Sequence, residues 1–192
     1  MRTALVLVLA LVSGVAFAAP PKSVSGPAPK PAPQNSQEKL FSQLKQAQSA
    51  EDAKPIEDKL KLLFRASNSP SVDLLMTRAN AAQAADDTKT AKKLVEAVTS
   101  IAPNYAEGWH TRAAMESADG DDTSALVSLQ KTVLLNPRHF AALVELGALL
   151  EEYGDKGGAL KLYRRALEID PQMEAAQHKV RELTTKVEGR DI

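Results

Sequence analysis

One spacing constrains the fold of this chain more than any other feature of its sequence. Pro103, Pro137 and Pro171 lie 34 residues apart. An alanine, an aspartate and a large apolar residue recur with the same step. These positions are Ala91, Ala125 and Ala159, then Asp87, Asp121 and Asp155, and then Ile101, Leu135 and Ile169. A period of roughly 20–50 residues indicates a stack of similar structural units, each of which packs on its neighbours.

The composition and the placement of these residues predict helices within each unit. Hydrophobic residues make up 44% of the chain but aromatic residues only 4%, a mixture that suits close-packed helices better than sheets. An aspartate in the middle of the unit can accept the unpaired N–H groups that begin a helix. Proline cannot donate a helical hydrogen bond, so each proline ends a helix. The predicted unit is a helix–turn–helix hairpin in an all-α fold.

The residues at these offsets resemble the tetratricopeptide repeat (TPR) family. That family places Leu-Gly, Ala, a large apolar residue and Pro at fixed offsets within 34 residues. The last unit carries Leu146, Gly147, Ala159, Tyr163 and Pro171 at those offsets. The resemblance implies a TPR α-solenoid of three 34-residue repeats. The repeats span residues 72–105, 106–139 and 140–173.

The segments on both sides of the repeats are also predicted to be helical. Apolar residues recur at helical spacing in residues 37–71 and again in residues 174–188. The first segment is interpreted as an N-terminal helical hairpin, a degenerate repeat with two amphipathic helices. The second segment is interpreted as a C-terminal capping helix, which covers the last apolar surface and leaves a polar outer face.

The beginning of the chain indicates export. An apolar run over residues 4–18 follows Arg2 and ends in a small-x-small pattern, which is typical of a secretory signal peptide. We predict a signal peptide over residues 1–18, with cleavage between Ala18 and Ala19. The run is shorter than the roughly 20 apolar residues of a membrane span, so we expect no stable span after cleavage. An uncleaved anchor is the alternative.

A proline-rich segment separates the signal peptide from the helices. Residues 19–36 hold six of the eleven prolines and no acidic residue, and such a composition favours an extended chain without a core. We predict a disordered linker there. Signal peptide, linker and short repeat array together are interpreted as an exported protein, periplasmic in a bacterium.

The residue types argue against several functions. The 24 basic and 24 acidic residues cancel, so no positive excess indicates a nucleic-acid partner. Cysteine is absent, and the three histidines, His110, His139 and His178, fall in different predicted segments. None of the common catalytic, nucleotide-binding or metal-binding motifs is present. We therefore expect no enzyme activity, no cofactor and no metal site.

The family resemblance implies a binding surface in place of an active site. TPR proteins usually bind peptide segments in the concave groove that the first helix of each hairpin lines. By register, the groove residues here are Asp73, Met76, Thr77, Asn80, Gln83, Glu107, His110, Thr111, Ser117, Val144, Glu145, Glu151 and Glu152. Five of them are acidic and none is Lys or Arg, which predicts a basic or neutral peptide partner. Of the positions that form a carboxylate clamp in some members, only Asn80 fits.

Trp109 is the only tryptophan of the chain and occupies the family's aromatic position. We therefore expect it to pack between helices, and its truncation to alanine to cost about 3–5 kcal/mol, as for a buried aromatic residue. The neighbouring His110 is predicted to face the groove.

These observations predict a non-catalytic protein–protein interaction adaptor or scaffold in a bacterial cell envelope. Two alternatives stay open. One is a structural module that associates with itself. The other is an accessory subunit of an envelope enzyme complex, such as one for cytochrome maturation or cell-wall synthesis.

Overall fold

A computed structural model of the protein describes residues 33–189, and their side chains from residue 36 onward. Nine α-helices and no strand make up this part of the chain. They are α1 (Pro33–Gln46), α2 (Ala50–Arg65), α3 (Pro70–Ala84), α4 (Thr88–Ile101), α5 (Ala106–Ala118), α6 (Asp122–Leu135), α7 (Phe140–Glu152), α8 (Lys156–Ile169) and α9 (Glu174–Glu188). None of these helices is long and apolar enough to cross a membrane.

The predicted export segment falls mostly outside the described residues. The signal peptide over residues 1–18, its cleavage site between Ala18 and Ala19, and most of the linker over residues 19–36 lie there. The end of the predicted linker was placed too late, because α1 already begins at Pro33. Proline is compatible with the first turn of a helix, where its missing N–H has no intrahelical partner.

Three consecutive hairpins, α3–α4, α5–α6 and α7–α8, form the repeat array, as the 34-residue period predicted. In each hairpin the repeated aspartate caps the second helix. The carboxylates of Asp87, Asp121 and Asp155 accept hydrogen bonds from the backbone N–H three residues later, at 3.0, 3.1 and 2.8 Å. Each cap supplies an acceptor that the helix start lacks.

Small residues allow the two helices of each hairpin to approach closely. Ala79 and Ala113 are fully buried on the first helices, and Ala159 is fully buried on α8. Gly147 faces Tyr163, and a Cβ atom added to this glycine would lie only 3.1 Å from the Tyr163 ring. The close approach of α7 to α8 therefore depends on a residue without a side chain.

Trp109 differs from its expected place. It is only partly buried, and its Nε1–H donates to the Pro103 carbonyl in the preceding loop at 2.9 Å. The most deeply buried aromatic residues are Phe140 and Tyr163, each 1% exposed. The packing role expected for the tryptophan therefore belongs mainly to these two side chains.

Helix α9 covers the end of the array, as predicted for a capping helix. Ala176 and Leu183 are fully buried against α8, whereas Arg181 and Lys186 on its other faces are exposed. The array therefore ends on a polar surface.

The N-terminal hairpin α1–α2 forms as predicted, but it does not sit in front of the first repeat. Its main partners in the described part of the chain are α5, the start of α7 and α8. Phe41, Leu44 and Leu60 pack together with Phe140 at the start of α7. The hairpin therefore packs mainly on helices of the second and third repeats.

Polar contacts also hold the hairpin against the loops that follow α6 and α8. The Gln172 side chain donates to the Ala47 carbonyl at 2.8 Å. Arg138 forms an ion pair with Glu38, and its guanidinium lies 4.0 Å from the centre of the Phe41 ring. The hairpin docks here because this edge of the array presents apolar side chains that would otherwise face water.

Candidate functional site

A cavity of about 620 Å³ lies between the N-terminal hairpin and the first two repeats. Seven of the thirteen predicted groove residues line it. They are Asp73, Met76, Thr77, Asn80, Glu107, His110 and Thr111. All seven project from α3 and α5, because residues three and four apart share one face of a helix. An adjoining cavity of about 360 Å³ includes Gln83.

The other predicted groove residues lie outside both cavities. Val144 is partly buried and packs within the hydrophobic core. Glu151 is held between helices, where it accepts from the Lys179 ammonium at 3.0 Å and from the Tyr163 hydroxyl at 3.2 Å. The remaining three are Ser117, Glu145 and Glu152, which are exposed.

The end of α2 forms one wall of the larger cavity. Leu62, Arg65 and Ala66 line this wall, and Tyr105 lies next to them. The Tyr105 hydroxyl donates to the Arg65 carbonyl at 2.7 Å, which ties the hairpin to the start of α5. Register could not reveal this wall, because the hairpin lies outside the repeat pattern.

Two histidines and two glutamates converge beside the cavity. His139 Nε2 lies 3.1 Å from a Glu107 carboxylate oxygen, and His110 Nε2 lies 2.9 Å from a Glu145 oxygen. The two imidazole rings are 4.4 Å apart, centre to centre. This cluster joins α5 to α7 across the boundary between the second and third repeats.

The hydrogen bonds in this cluster determine where its charges lie. Burial opposes ionisation of Glu107, but its contacts with His110 and His139 outweigh burial and lower the pKa of Glu107 to about 2. Burial likewise disfavours a charged His110, but its contacts with Glu107 and Glu145 outweigh burial and raise its pKa to about 9. His110 is therefore an imidazolium at neutral pH, held between two carboxylates.

The cluster has the donor types of a metal site. One ligand atom each from Glu107, His110 and His139 lies within 4.8 Å of the other two. The backbone N–H of Ala142 donates to His139 Nδ1 at 3.2 Å, so the proton of the neutral ring is on Nε2, which faces Glu107. A metal at Nε2 would move that proton to Nδ1, against the Ala142 N–H. The present arrangement thus suits a hydrogen-bonded network better than a metal.

The charge of the groove differs from the expectation drawn from register. Arg65 lines the cavity and adds a cation that the set predicted from register does not include. The single charge of the His110 imidazolium is shared between Glu107 and Glu145, and the charge of Glu151 is paired with Lys179. Among the residues that line the larger cavity, the two cations Arg65 and His110 balance the two acids Asp73 and Glu107.

The sequence could have given a partial signal for this cluster. Glu107 and His110 are three residues apart on one helix, a spacing that places both side chains on one face. His139 comes from the junction between repeats, and only the stacking of α5 and α7 brings it to Glu107. Arg65 and Leu62 carry no local signal, because they reach the cavity through docking of the hairpin.

The folded chain is a helical-repeat protein of the α-solenoid class with a cavity lined by its N-terminal hairpin and its first two repeats. A scan against models of known protein families finds no match. A TPR repeat-containing protein of Rhizobium etli is 30% identical to it over 157 residues, which cover 82% of this chain and 77% of that protein. The chain therefore belongs to the TPR repeat-containing proteins.

Solved structures with the same fold agree with this assignment. The TPR domain of Sgt2 from Aspergillus fumigatus is 26% identical, with a TM-score of 0.54, over 62% of this chain and 81% of that domain. The first TPR of Spaghetti, bound to an HSP90 peptide, is 19% identical, with a TM-score of 0.55, and the match covers 61% of this chain and 93% of that one. The chaperone SycD of Yersinia enterocolitica, in complex with a peptide of the translocator YopD, is 14% identical, with a TM-score of 0.55. This match covers 62% of this chain and 95% of that one.

Proposed function

We propose that this protein is a non-catalytic adaptor that binds a peptide segment of another protein. The observation that carries the proposal is the cavity between the hairpin and the first two repeats, because seven residues of the predicted groove line it. Two solved structures with similar folds contain a bound peptide, which supports peptide binding by this fold here.

The partner peptide in this proposal is close to neutral. The cavity lining carries two cations, Arg65 and His110, and two acids, Asp73 and Glu107, so it offers little unbalanced negative charge to attract a strongly basic segment. Met76 and Tyr105 add apolar surface to the cavity. A segment with apolar side chains and few charges would desolvate this surface at the lowest electrostatic cost.

Site-specific photo-crosslinking in the native host tests this function. A photoreactive phenylalanine analogue at Thr77 would lie in the cavity, whereas the same analogue at Gln130 would lie on α6, outside it. We expect a discrete crosslinked partner from position 77 and none from position 130. Equal crosslinking at both positions, or none at position 77, would contradict a peptide-binding groove.

We further propose that the protein acts in a bacterial cell envelope. The apolar run over residues 4–18 supports this proposal, because it has the pattern of a secretory signal. Fusion of residues 1–36 to alkaline phosphatase, which gains its disulfides only after export, should give active enzyme. A fusion that stays inactive in the cytoplasm would reject an envelope location.

A further inference from the structure

At the end of α2, an apolar side chain and a cation lie next to each other and face the groove. Leu62 and Arg65 are three residues apart on the helix, so they share one face, and both line the cavity of about 620 Å³. Leu62 is 63% exposed, and the Arg65 side chain is 65% exposed. Within residues 33–189, this is a groove surface that the repeats themselves do not supply.

Contacts on three sides hold this part of α2 in place. The Arg65 carbonyl accepts a hydrogen bond from the Tyr105 hydroxyl at 2.7 Å. The Phe64 ring stacks on His139 with the ring centres 5.0 Å apart. Ser67, just beyond the helix, donates its hydroxyl to the Asp73 carboxylate at 2.5 Å. A helix end fixed in this way loses little backbone conformational entropy when a ligand binds.

Within residues 33–189, the Arg65 guanidinium has unused hydrogen-bonding capacity. Its ion pair with Glu107 spans 4.0 Å, which is longer than a hydrogen bond. The Glu107 carboxylate is already engaged by His139 at 3.1 Å and lies 3.8 Å from His110. A guanidinium carries five N–H donors and binds a carboxylate with two of them at once.

We propose that the Leu62–Arg65 face of α2 is a recognition surface of the peptide groove. It would select segments in which an apolar side chain stands next to a carboxylate, from an acidic residue or a chain terminus. Leu62 and Met76 would contact the apolar side chain, and Arg65 would bind the carboxylate. The inference rests on the proposed function, and it adds a specificity that comes from the hairpin.

Selection from a random peptide library displayed on phage tests this inference with the full chain as bait. We expect the enriched peptides to share an apolar residue adjacent to Asp, Glu or the C-terminal carboxylate. Binding of a labelled enriched peptide is then measured by fluorescence anisotropy. Leu62→Ser and Arg65→Gln should each weaken binding about tenfold, which corresponds to about 1.4 kcal/mol.

Two substitutions outside the cavity provide matched controls. Leu134→Ser removes an exposed leucine, 72% accessible, from α6, and Lys59→Gln removes an exposed cation from α2. Neither should change binding. Arg65→Lys, which keeps the charge but loses the paired donors, should bind less tightly than wild type. Circular dichroism would confirm that every variant keeps its helices.

The possible outcomes separate this inference from the proposed function. Enriched peptides without an adjacent acid, or unchanged binding in Leu62→Ser and Arg65→Gln, would overturn the inference. If Asn80→Ala and Thr111→Ala still weakened binding in that case, the peptide-binding function would stand without the hairpin surface. A selection that enriches no peptide would count against both.

Discussion

At the scale of single residues, His110 illustrates how the repeats are joined. Its ring lies between the carboxylates of Glu107 and Glu145, and the protonated form is favoured up to a pKa of about 9. Since this value lies above the ordinary 6.5, the contribution of the protonated His110 to the stability of the fold is fully present below about pH 6.5. It is lost as the pH rises through 9.

The titration of His110 can be measured directly by NMR. We expect its imidazole signals to titrate near pH 9 in the wild type. Glu145→Gln removes one of the two charges that hold the proton, so the midpoint should move down. Glu152→Gln, which changes an exposed acid on the same helix, is the control. A midpoint that does not respond to Glu145→Gln would contradict the ion pair.

Two aromatic residues should differ in their effect on stability. Tyr163 is 1% exposed and packs in the core between α7, α8 and α9, so Tyr163→Ala should cost roughly 3–5 kcal/mol. Trp109 is partly exposed, and Trp109→Ala should cost less than that range. Urea unfolding of both variants measures the difference. A larger loss in Trp109→Ala would restore the packing role expected from its position in the repeat.

At the scale of helices, the approach of α7 to α8 depends on Gly147. A Cβ at this position would meet the Tyr163 ring at 3.1 Å, whereas a Cβ at Gly157 on α8 would meet only a carboxylate oxygen at 3.8 Å. We expect Gly147→Ala to lower the free energy of unfolding by about 1–3 kcal/mol. Gly157→Ala, the matched control, should be neutral or should stabilise by up to about 1 kcal/mol.

Thermal or urea unfolding of these two variants provides the measurement. Both substitutions add one methyl group to a glycine in a helix, so propensity alone would favour both. A gain in stability for Gly147→Ala would mean that the Tyr163 ring moves aside without cost, and that the small residue does not set the helix separation.

The repeat helices could be predicted from sequence because their signals are local. Each capping aspartate and each terminating proline acts within one turn of a helix, so the period fixed the helix ends within a few residues. The position of α1–α2 could not be predicted in this way. Its docking depends on Phe140 of α7 and on Ile169 of α8, which meet only after the repeats have stacked.

At the scale of the whole molecule, a buried carboxyl links the hairpin to the end of the array. Asp170 is fully buried, and its Oδ2 has no hydrogen-bond donor within the described residues. Burial raises the pKa of Asp170 to about 6, and the neighbouring Glu57 carboxylate of α2 adds to this effect. The folded chain therefore binds a proton more tightly here than the unfolded chain, whose value is near 3.8.

The sign of the resulting pH dependence follows from that difference. The contribution of Asp170 to stability is present below about pH 3.8 and is lost as the pH rises through 6. Asp170→Asn removes this loss. The free energy of unfolding of the variant relative to wild type should therefore be higher at about pH 8 than at about pH 5. Urea unfolding at both pH values measures the change. A constant difference across this range, like that expected for the exposed control Asp58→Asn, would contradict the prediction.

Part of the candidate site was predictable for the same reason as the repeats. Residues of α3 and α5 lie at regular offsets, so register alone identified Met76, Asn80 and Thr111 as cavity residues. The register of the repeats also placed Glu151 in the groove. In the structure Glu151 lies outside the cavity, because α9 brings Lys179 against it. Register also missed Arg65, because a segment outside the period supplies that wall.

Binding of one peptide by the first two repeats together with the end of α2 can be mapped by NMR. The ¹⁵N–¹H spectrum of the protein is recorded during titration with a peptide enriched by the library selection. If the peptide binds in this cavity, the largest shifts will occur at Leu62, Met76, Asn80 and Thr111, with little change at Val127 and Leu134 on α6. Shifts centred on α6, with the cavity amides unchanged, would contradict binding in this cavity.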